Sequence, residues 1–99
     1  MAQIILFEHA NFGGRRKTIF GDIPNLNAPN DNDFNDITSS IIVVSGTWQC
    51  FPDWNYEGQP SLTLVGFEQD PDRGLYPYVE NNDVLIGNDT ISSVKLISE

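Results

Sequence analysis

The sequence predicts an all-β domain in which two tandem Greek-key motifs form a sandwich of two antiparallel four-stranded sheets. Three observations support this fold class. The chain repeats itself once, its apolar residues fall in short runs that alternate between two faces, and no stretch shows the period of a helix. Gly, Pro, Asn and Asp fill the gaps between the runs, as turns require. The length of 99 residues suits a single domain spanning residues 1–99.

Two pairs of matching segments reveal the repeat. Residues 7–14 and 51–58 each begin with an aromatic residue, followed by four residues, a second aromatic residue, any residue and Gly. Residues 35–40 and 88–93 both read Asn-Asp-x-x-Ser-Ser. Matching segments in the same order indicate two copies of one unit. The first motif covers about 2–46 and the second about 47–99.

Short runs of apolar, aromatic or β-branched residues predict strands at 4–7, 40–44, 48–51 and 61–65. Aligning the two copies identifies the buried face, because Ile5 matches Gln49 and Ile42 matches Lys95. Gln and Lys are rarely buried without a partner, so these positions mark the outer face. Side chains alternate along a strand, which places on the inner face Ile4, Leu6, Ile41, Val43, Trp48, Cys50, Val94 and Leu96.

The aromatic segments predict a tight hairpin after the first strand of each motif. Gly14 and Gly58 can adopt the positive φ angle that such a fold requires. The two aromatic residues of each segment can then pack over the bend.

The composition excludes several classes of partner. The chain has 14 acidic and 5 basic residues, and its net charge of −9 disfavours nucleic acid and anionic membranes, which bind basic surfaces. The one basic cluster, residues 15–17, is interpreted as a solvated strand edge. No apolar run approaches the roughly 20 residues that span a membrane. The N-terminus shows no secretory signal, so we expect a cytoplasmic protein or part of a larger or processed one, and the compartment stays open.

Catalysis is not predicted, and no catalytic residue is assigned. His9 is the only His and Cys50 the only Cys, so the chain lacks the Ser-His-Asp or Cys-His pairing of a nucleophilic enzyme. A single Cys also excludes an internal disulfide and a thiolate metal cluster. We expect Cys50 to be a small core residue.

The repeated Asn-Asp-x-x-Ser-Ser loops predict binding of a hard cation. Every side chain at their four defined positions offers oxygen, and none offers sulfur or imidazole. Calcium takes about six to eight oxygen ligands, whereas zinc prefers Cys and His. A single loop would be read as an ordinary turn, but two loops at equivalent places in an acidic chain favour calcium. Water or other segments must complete each shell, and we expect micromolar or weaker affinity.

Together, the aromatic hairpins and the Asn-Asp-x-x-Ser-Ser loops, each present twice in this order, resemble the βγ-crystallin family. The resemblance covers nearly the whole chain. Residues 7–14 and the run Ser45-Gly46-Thr47-Trp48 resemble in particular the microbial calcium-binding members. The resemblance implies two sheets that each lend one strand to the other, and two calcium sites at one end of the domain, shared between the motifs.

The resemblance also implies the ligands of each site. They are a main-chain carbonyl of the hairpin, a carbonyl of the loop, the hydroxyl of the first serine, and an Asx side chain from the opposite motif. We expect the Asx ligands to be Asp36 and Asp89, because a carboxylate binds calcium better than an amide. The complete predicted set is Glu8, Asn35, Asp36, Ile37, Ser39, Pro52, Asn88, Asp89, Thr90 and Ser92.

The second serines, Ser40 and Ser93, resemble the structural serine that ties down the folded hairpin. Two features depart from the family pattern. Pro52 stands where a non-proline hairpin residue is usual, and residues 71–87 form an insertion that could alter access to the second site.

The predicted function is a calcium-binding structural or stress-related module that carries two Ca2+ ions per chain and is stabilised by them. We expect a monomer whose macromolecular partner, if any, the sequence does not identify. The alternative is a protein- or carbohydrate-interaction module in which calcium is only structural. Four aromatic residues expected at the surface could serve it by stacking on sugars, although packing within hairpins and loops is the simpler interpretation: Trp54, Tyr56, Tyr76 and Tyr78.

Overall fold

The computed structural model describes residues 2–26, 37–58, 62–68, 70, 73–76 and 91–99. Its seven strands are β1 (Gln3–His9), β2 (Gly13–Ile19), β3 (Ser40–Ser45), β4 (Thr47–Phe51), β5 (Leu62–Val65), β6 (Leu75–Tyr76) and β7 (Ser93–Ser98). Two three-residue 3-10 turns, Ala10–Phe12 and Trp54–Tyr56, form the hairpin bends. Within the described part of the chain, no helix is long and apolar enough to cross a membrane. The all-β prediction is confirmed.

The strands form two antiparallel sheets, the first in the order β2-β1-β3-β6 and the second in the order β5-β4-β7. The first sheet contains a strand from the second motif, because β6 pairs with β3 through Ile41 and Tyr76. In the second sheet, Ile23 of the first motif forms a two-way bridge with Val94, with N···O distances of 2.8 and 2.9 Å. Each motif therefore lends chain to the sheet of the other, as the resemblance implies.

In the second sheet, the place of a fourth strand is taken by the bridged residue Ile23 and by the side chain of Asp22. In the first sheet, Val43 N donates to the carbonyl of Gly74 at 2.7 Å. At the equivalent place, Leu96 N donates to Asp22 Oδ1, also at 2.7 Å. The Asp22 carboxylate thus satisfies an edge N–H that a strand carbonyl satisfies in the other sheet. Among the described residues, the expectation of two four-stranded sheets holds for the first sheet, whereas the second has three strands and a bridge.

The core lies between the two sheets and contains every residue that the repeat placed on the inner face. Seven of the eight are fully buried, and Leu96 is partly buried against the same cluster. Cys50 is one of the buried seven, and burial raises the pKa of its thiol to about 12. The thiol therefore stays protonated at neutral pH, in agreement with a packing role.

Two buried hydroxyl groups have no hydrogen-bond partner among the described residues, Thr38 Oγ1 and Tyr76 Oη. The expectation that Tyr76 is exposed is wrong, because Tyr76 lies opposite Ile41 and its ring points into the core. Beside the second sheet, Ile91 and Ile23 stand at the equivalent positions, and both belong to the core or pack against it. The first sheet thus has hydroxyl groups where the second has only hydrocarbon.

Replacing Asp22 by Ala should lower the free energy of unfolding by about 1 kcal/mol, because the Leu96 N–H loses its acceptor at the sheet edge. Urea unfolding followed by circular dichroism in chelator would measure the change. Asp22 also lies 3.4 Å from Lys95 Nζ, so Lys95→Met serves as the control. That variant removes the exposed ion pair, replaces the ammonium over the Tyr56 ring by a thioether and keeps the Asp22–Leu96 hydrogen bond, so it should cost about 0.5 kcal/mol or less. Equal losses in the two variants would show that the Asp22–Leu96 hydrogen bond does not stabilise the fold.

Candidate functional site

Each hairpin bend contains two consecutive residues in the left-handed region. The φ angles are 59° and 62° at Asn11 and Phe12, and 57° and 62° at Asn55 and Tyr56. Asn tolerates this region, whereas a bulky aromatic residue adopts it only when its surroundings compensate for the strain. The sequence pattern predicted positive φ for Gly14 and Gly58 but gave no sign of these four residues.

Serine hydroxyls hold both bends. Ser40 Oγ donates to the carbonyl of His9 at 2.6 Å and accepts the N–H of Phe12 at 3.0 Å. Ser93 Oγ donates to the carbonyl of Asp53 at 2.6 Å and accepts the N–H of Tyr56 at 3.1 Å. Each hydroxyl spans one bend and satisfies the N–H of the strained aromatic residue. This is the role that the resemblance implies for the second serine of each loop.

The glycines and aromatic rings complete the bends. Gly14 has a φ of 77°, and a Cβ there would lie 2.5 Å from His9 Cδ2. Phe7 and Phe12 pack edge to face with their centroids 5.7 Å apart, and the second hairpin repeats the arrangement with Phe51 and Tyr56 at 6.0 Å. The predicted hairpin packing is confirmed in both motifs.

The first serine of each loop lies directly beside its hairpin. Ser39 N donates to the carbonyl of Phe7 at 2.9 Å, and Ser92 N donates to the carbonyl of Phe51 at 2.8 Å. These bonds bring Ser39 next to the peptide that joins Phe7 to Glu8. They bring Ser92 next to the peptide that joins Phe51 to Pro52. The structure thus brings together, in each motif, the hairpin residue and the serine that the sequence assigned to one site.

Five of the ten predicted ligands lie outside the described residues, namely Asn35, Asp36, Asn88, Asp89 and Thr90. The described residues on the two sides of 27–36 lie beside different candidate sites. Leu26 N donates to the carbonyl of Ser92 at 2.9 Å, next to the second candidate site. Ile37, which is itself a predicted ligand, precedes Ser39 of the first site and packs against the core. The chain that carries Asn35 and Asp36 therefore starts at one candidate site and ends at the other.

Pro24 and Leu26 are site neighbours that the sequence analysis missed. The carbonyl of Pro24 accepts the N–H of Asn55 at 2.8 Å, so the segment contacts the second hairpin as well as Ser92. No local sequence pattern predicts these contacts, because each joins residues about thirty or more positions apart in the chain. These hydrogen bonds attach the segment that precedes residues 27–36 to the second motif.

The donor groups in place fit a hard cation. Ser39 and Ser92 are only 6% and 4% exposed, and a serine hydroxyl is an oxygen ligand of the kind that calcium takes. Glu8 directs its carboxylate to Arg15, whose N–H lies 3.2 Å from Oε1. The ligand that the resemblance implies for Glu8 is its main-chain carbonyl. The described residues include no group of three His, Cys, Asp or Glu side chains that could hold a metal.

Charges near the two hairpins differ. Lys95 Nζ lies 4.6 Å above the ring of Tyr56 and 3.4 Å from Asp22 Oδ2. The pKa of the Tyr56 phenol is raised, chiefly by burial and further by the charge of Asp22, while Lys95 acts in the opposite direction. In the first hairpin, His9 is exposed and its Nε2 lies 3.7 Å from Glu8 Oε1. No arrangement of a nucleophile with a base occurs among these groups.

Comparison with known proteins matches residues 3–97 to the family model described as Beta/Gamma crystallin. The Beta/gamma-crystallin of Ciona intestinalis is 43% identical over 96 residues, which covers 96% of this chain and 98% of that protein. The Epidermal differentiation-specific protein of Cynops pyrrhogaster is 42% identical over 99 residues, yet the chain spans only 24% of its length.

Solved structures show the same similarity. A beta gamma crystallin from Ciona intestinalis has a TM-score of 0.77 and 39% identity, covering 95% of this chain and 98% of its own. A betagamma-crystallin from an archaeon also has a TM-score of 0.77, with 35% identity over 97% of this chain and 98% of its own. Because animal and archaeal proteins are similar to a comparable degree, the narrower resemblance to microbial members stays a prediction.

Ser40→Ala and Ser93→Ala should each lower the free energy of unfolding by about 1–3 kcal/mol, because each leaves a strained bend with an unsatisfied N–H and carbonyl. The loss should be the same in chelator and in calcium, since these serines hold the hairpin rather than the ion. Urea unfolding in both buffers would measure it. Ser39→Ala is the matched control, and its effect should depend on calcium. A loss for Ser40→Ala that appears only in calcium would contradict the structural role.

Proposed function

Because the chain belongs to the Beta/Gamma crystallin family, we propose that it is a calcium-binding structural module with two Ca2+ sites per chain. The family includes members that bind calcium. One observation supports calcium binding by this chain in particular. In both motifs, a nearly buried serine hydroxyl sits beside a hairpin peptide at the end of an Asn-Asp-x-x sequence. The repetition supports two sites, because a turn residue would not have to recur with the same donors and burial.

The ligands of the first site would be the Glu8 carbonyl, the Ile37 carbonyl and the Ser39 hydroxyl. Those of the second would be the Pro52 carbonyl, the Thr90 carbonyl and the Ser92 hydroxyl. Asp36 and Asp89 would supply the carboxylates, with Asn35 and Asn88 as neighbouring amide ligands. The anchoring of Leu26 on Ser92 supports a carboxylate that crosses from one motif to the other, since it starts this loop at the opposite site.

Calcium at these positions would act on the connections between the two sheets. Residues 27–36 lead from the second sheet to β3 of the first, and residues 77–90 lead from β6 of the first sheet to β7 of the second. Each connection is attached to a segment of one motif that pairs in the sheet of the other motif. An ion bound by the connection would hold that segment to the motif to which it belongs. Two Ca2+ ions would also add four positive charges to a chain of net charge −9, which relieves repulsion in the folded state.

We assign the module a structural or stress-related role as a single, non-enzymatic domain of residues 1–99. The alternative of carbohydrate recognition has less support, because the aromatic residues do not form one surface. Trp54 is 45% exposed, but Tyr56 packs on Phe51 and under Lys95, and Tyr76 is buried. Tyr78 lies outside the described residues. A glycan array with calcium-loaded protein would detect sugar binding, and a specific signal lost in Trp54→Ala would favour the alternative.

Titration of chelator-treated protein with calcium should show two ions bound per chain, because the ligand loop occurs twice. Magnesium should compete poorly, since it requires a small octahedral shell and loses water reluctantly. Isothermal titration calorimetry measures both. Absence of heat and of any spectral change at millimolar calcium would contradict the central claim.

A matched pair of variants separates ligation from charge in that titration. Asp36→Asn and Asp33→Asn remove the same charge from the same segment, but only Asp36 belongs to the Asn-Asp-x-x-Ser-Ser pattern. Asp36→Asn should weaken calcium binding by about tenfold or more, because one carboxylate ligand is lost. Asp33→Asn should change it far less, and equal effects would mean that general charge rather than Asp36 attracts the ion.

Calcium should raise the melting temperature steeply. An ion that binds only the folded state stabilises it by about 2.7 kcal/mol per site at a hundredfold excess over Kd, so two sites would contribute roughly 5 kcal/mol. That equals the whole stability of many small domains. Scanning calorimetry with calcium and with chelator would show the shift, and equal melting temperatures would mean that calcium is not a stabilising ligand.

Ser39→Arg and Ser92→Arg should lose most of the calcium-induced rise, because a cation then replaces a hydroxyl ligand. Their melting temperatures in chelator should change far less. Thr63→Arg is the control, since it adds the same charge at an exposed position of β5, on the strand opposite Gln49. Loss of the rise in Thr63→Arg as well would attribute it to net charge instead of to the loops.

A further inference from the structure

The two motifs place different residues in equivalent rows on the outer faces of their sheets. In the second sheet, Thr63, Gln49, Lys95 and Asp22 follow one another across the strands, and Lys95 pairs with Asp22 at 3.4 Å. In the first sheet, the same row reads Thr18, Ile5, Ile42 and Leu75. Because the second sheet forms with a polar row at the same place, the fold does not require the row on the first sheet to be apolar.

The apolar row lies at the surface. Leu75 is 59% exposed, and Ile5 and Ile42 are partly exposed. Phe67, 39% exposed, lies at the same edge, where its N–H bonds to the carbonyl of Val43 at 3.0 Å. Exposed apolar residues that are neighbours on a sheet are typical of interaction sites. We define the outer face of the first sheet by Ile5, Ile42 and Leu75.

Charges at the corners of this face are complementary. Arg16, on the edge strand β2, lies opposite Phe7 at one corner and is exposed. Glu68, whose N–H bonds to the carbonyl of Val44, is exposed at the diagonally opposite corner. Among the described residues of the connection that contains it, Glu68 and Asp70 are acidic and Arg73 is basic, so acidic groups outnumber basic ones at this corner.

From this arrangement we propose that the outer face of the first sheet is a self-association surface on which a second copy of the chain docks. Arg16 and Glu68 mark the two ends of one diagonal of the face. A two-fold axis in the plane of the face, along the other diagonal, would bring Arg16 of each copy opposite Glu68 of the second copy. The strands of the two sheets would then cross at about a right angle, which is one of the two geometries in which sheets pack. The apolar rows would meet at the centre, and the charges would form the rim.

The net charge sets the conditions for this association. Two chains of charge −9 repel each other, so dilute protein is the expected monomer and pairing requires high concentration. Salt screens the repulsion between separated surface charges more than it weakens apolar contact, so pairing should strengthen with salt. The proposal rests on the fold alone and not on calcium binding.

Sedimentation velocity in chelator, from micromolar to millimolar protein at low and high salt, would test the surface. The wild-type mass should rise with concentration, and more at high salt. Ile42→Lys introduces the residue that the second motif carries at the same place, and it should raise the dimer Kd about tenfold or more. The double variant Ile42→Lys/Leu75→Asp reproduces the ion pair of the second sheet and should remain monomeric while keeping the wild-type melting temperature.

Controls distinguish this face from general effects of charge. Thr63→Lys adds the same charge to the outer face of the second sheet and should associate as the wild type does. Arg16→Glu should weaken association, and Arg16→Glu/Glu68→Arg should restore it. A wild type that stays monomeric at millimolar protein in high salt would overturn the proposal, as would an Ile42→Lys variant that associates normally or a Thr63→Lys variant that fails to. Failure of the double charge swap to restore association would overturn the diagonal pairing.

Discussion

The hydroxyl groups of Ser40 and Ser93 are the contacts on which the two hairpins depend. Each bend holds an aromatic residue in the left-handed region, which costs about 1–2 kcal/mol for a residue with a Cβ. A single hydroxyl compensates by bonding both sides of the bend. Because Ser40 begins β3 and Ser93 begins β7, the same contact ties the first hairpin of each motif to its later strand. The local strain is thus balanced by a long-range contact that forms only when the motif folds.

The adjacent serines divide two tasks between neighbouring positions. Ser40 and Ser93 bond to the bend, while Ser39 and Ser92 donate their N–H groups to the hairpin carbonyls, where their hydroxyls are the proposed ligands. Since strand exchange makes each sheet depend on chain from the other motif, the connections between sheets decide whether the halves stay together. In the second sheet that dependence rests on the Ile23 bridge and the Asp22 carboxylate. An ion at the connections would reinforce the fold where hydrogen-bonded pairing is shortest.

The repeat made most of the fold predictable from sequence. Aligning one motif with the other gave the inner face of four strands, because a polar residue in either copy reveals the orientation of both. The incomplete fourth strand of the second sheet was not predictable, since one bridged residue produces no alternation. The Asp22–Leu96 bond joins residues 74 positions apart, and no local pattern encodes it. For the candidate sites, residue chemistry predicted oxygen donors and the repeat predicted their number, and the structure brings Glu8 near Ser39 and Pro52 near Ser92. The ligand roles of these four residues, and those of Asp36 and Asp89, stay predictions.

The duplication also provides an internal reference for positions that the fold does not dictate. Thr38 and Tyr76 place beside the first sheet buried hydroxyl groups that have no partner among the described residues, where the second sheet has Ile91 and Ile23. An unsatisfied buried polar group costs about 1–3 kcal/mol, so the packing on the first sheet is the less favourable form of one shared backbone. Thr38 immediately precedes Ser39, which locates this cost at the base of the first candidate site. A Ca2+ ion at that site would therefore stabilise the half with the less favourable packing, whereas the second sheet holds its strands on apolar side chains alone.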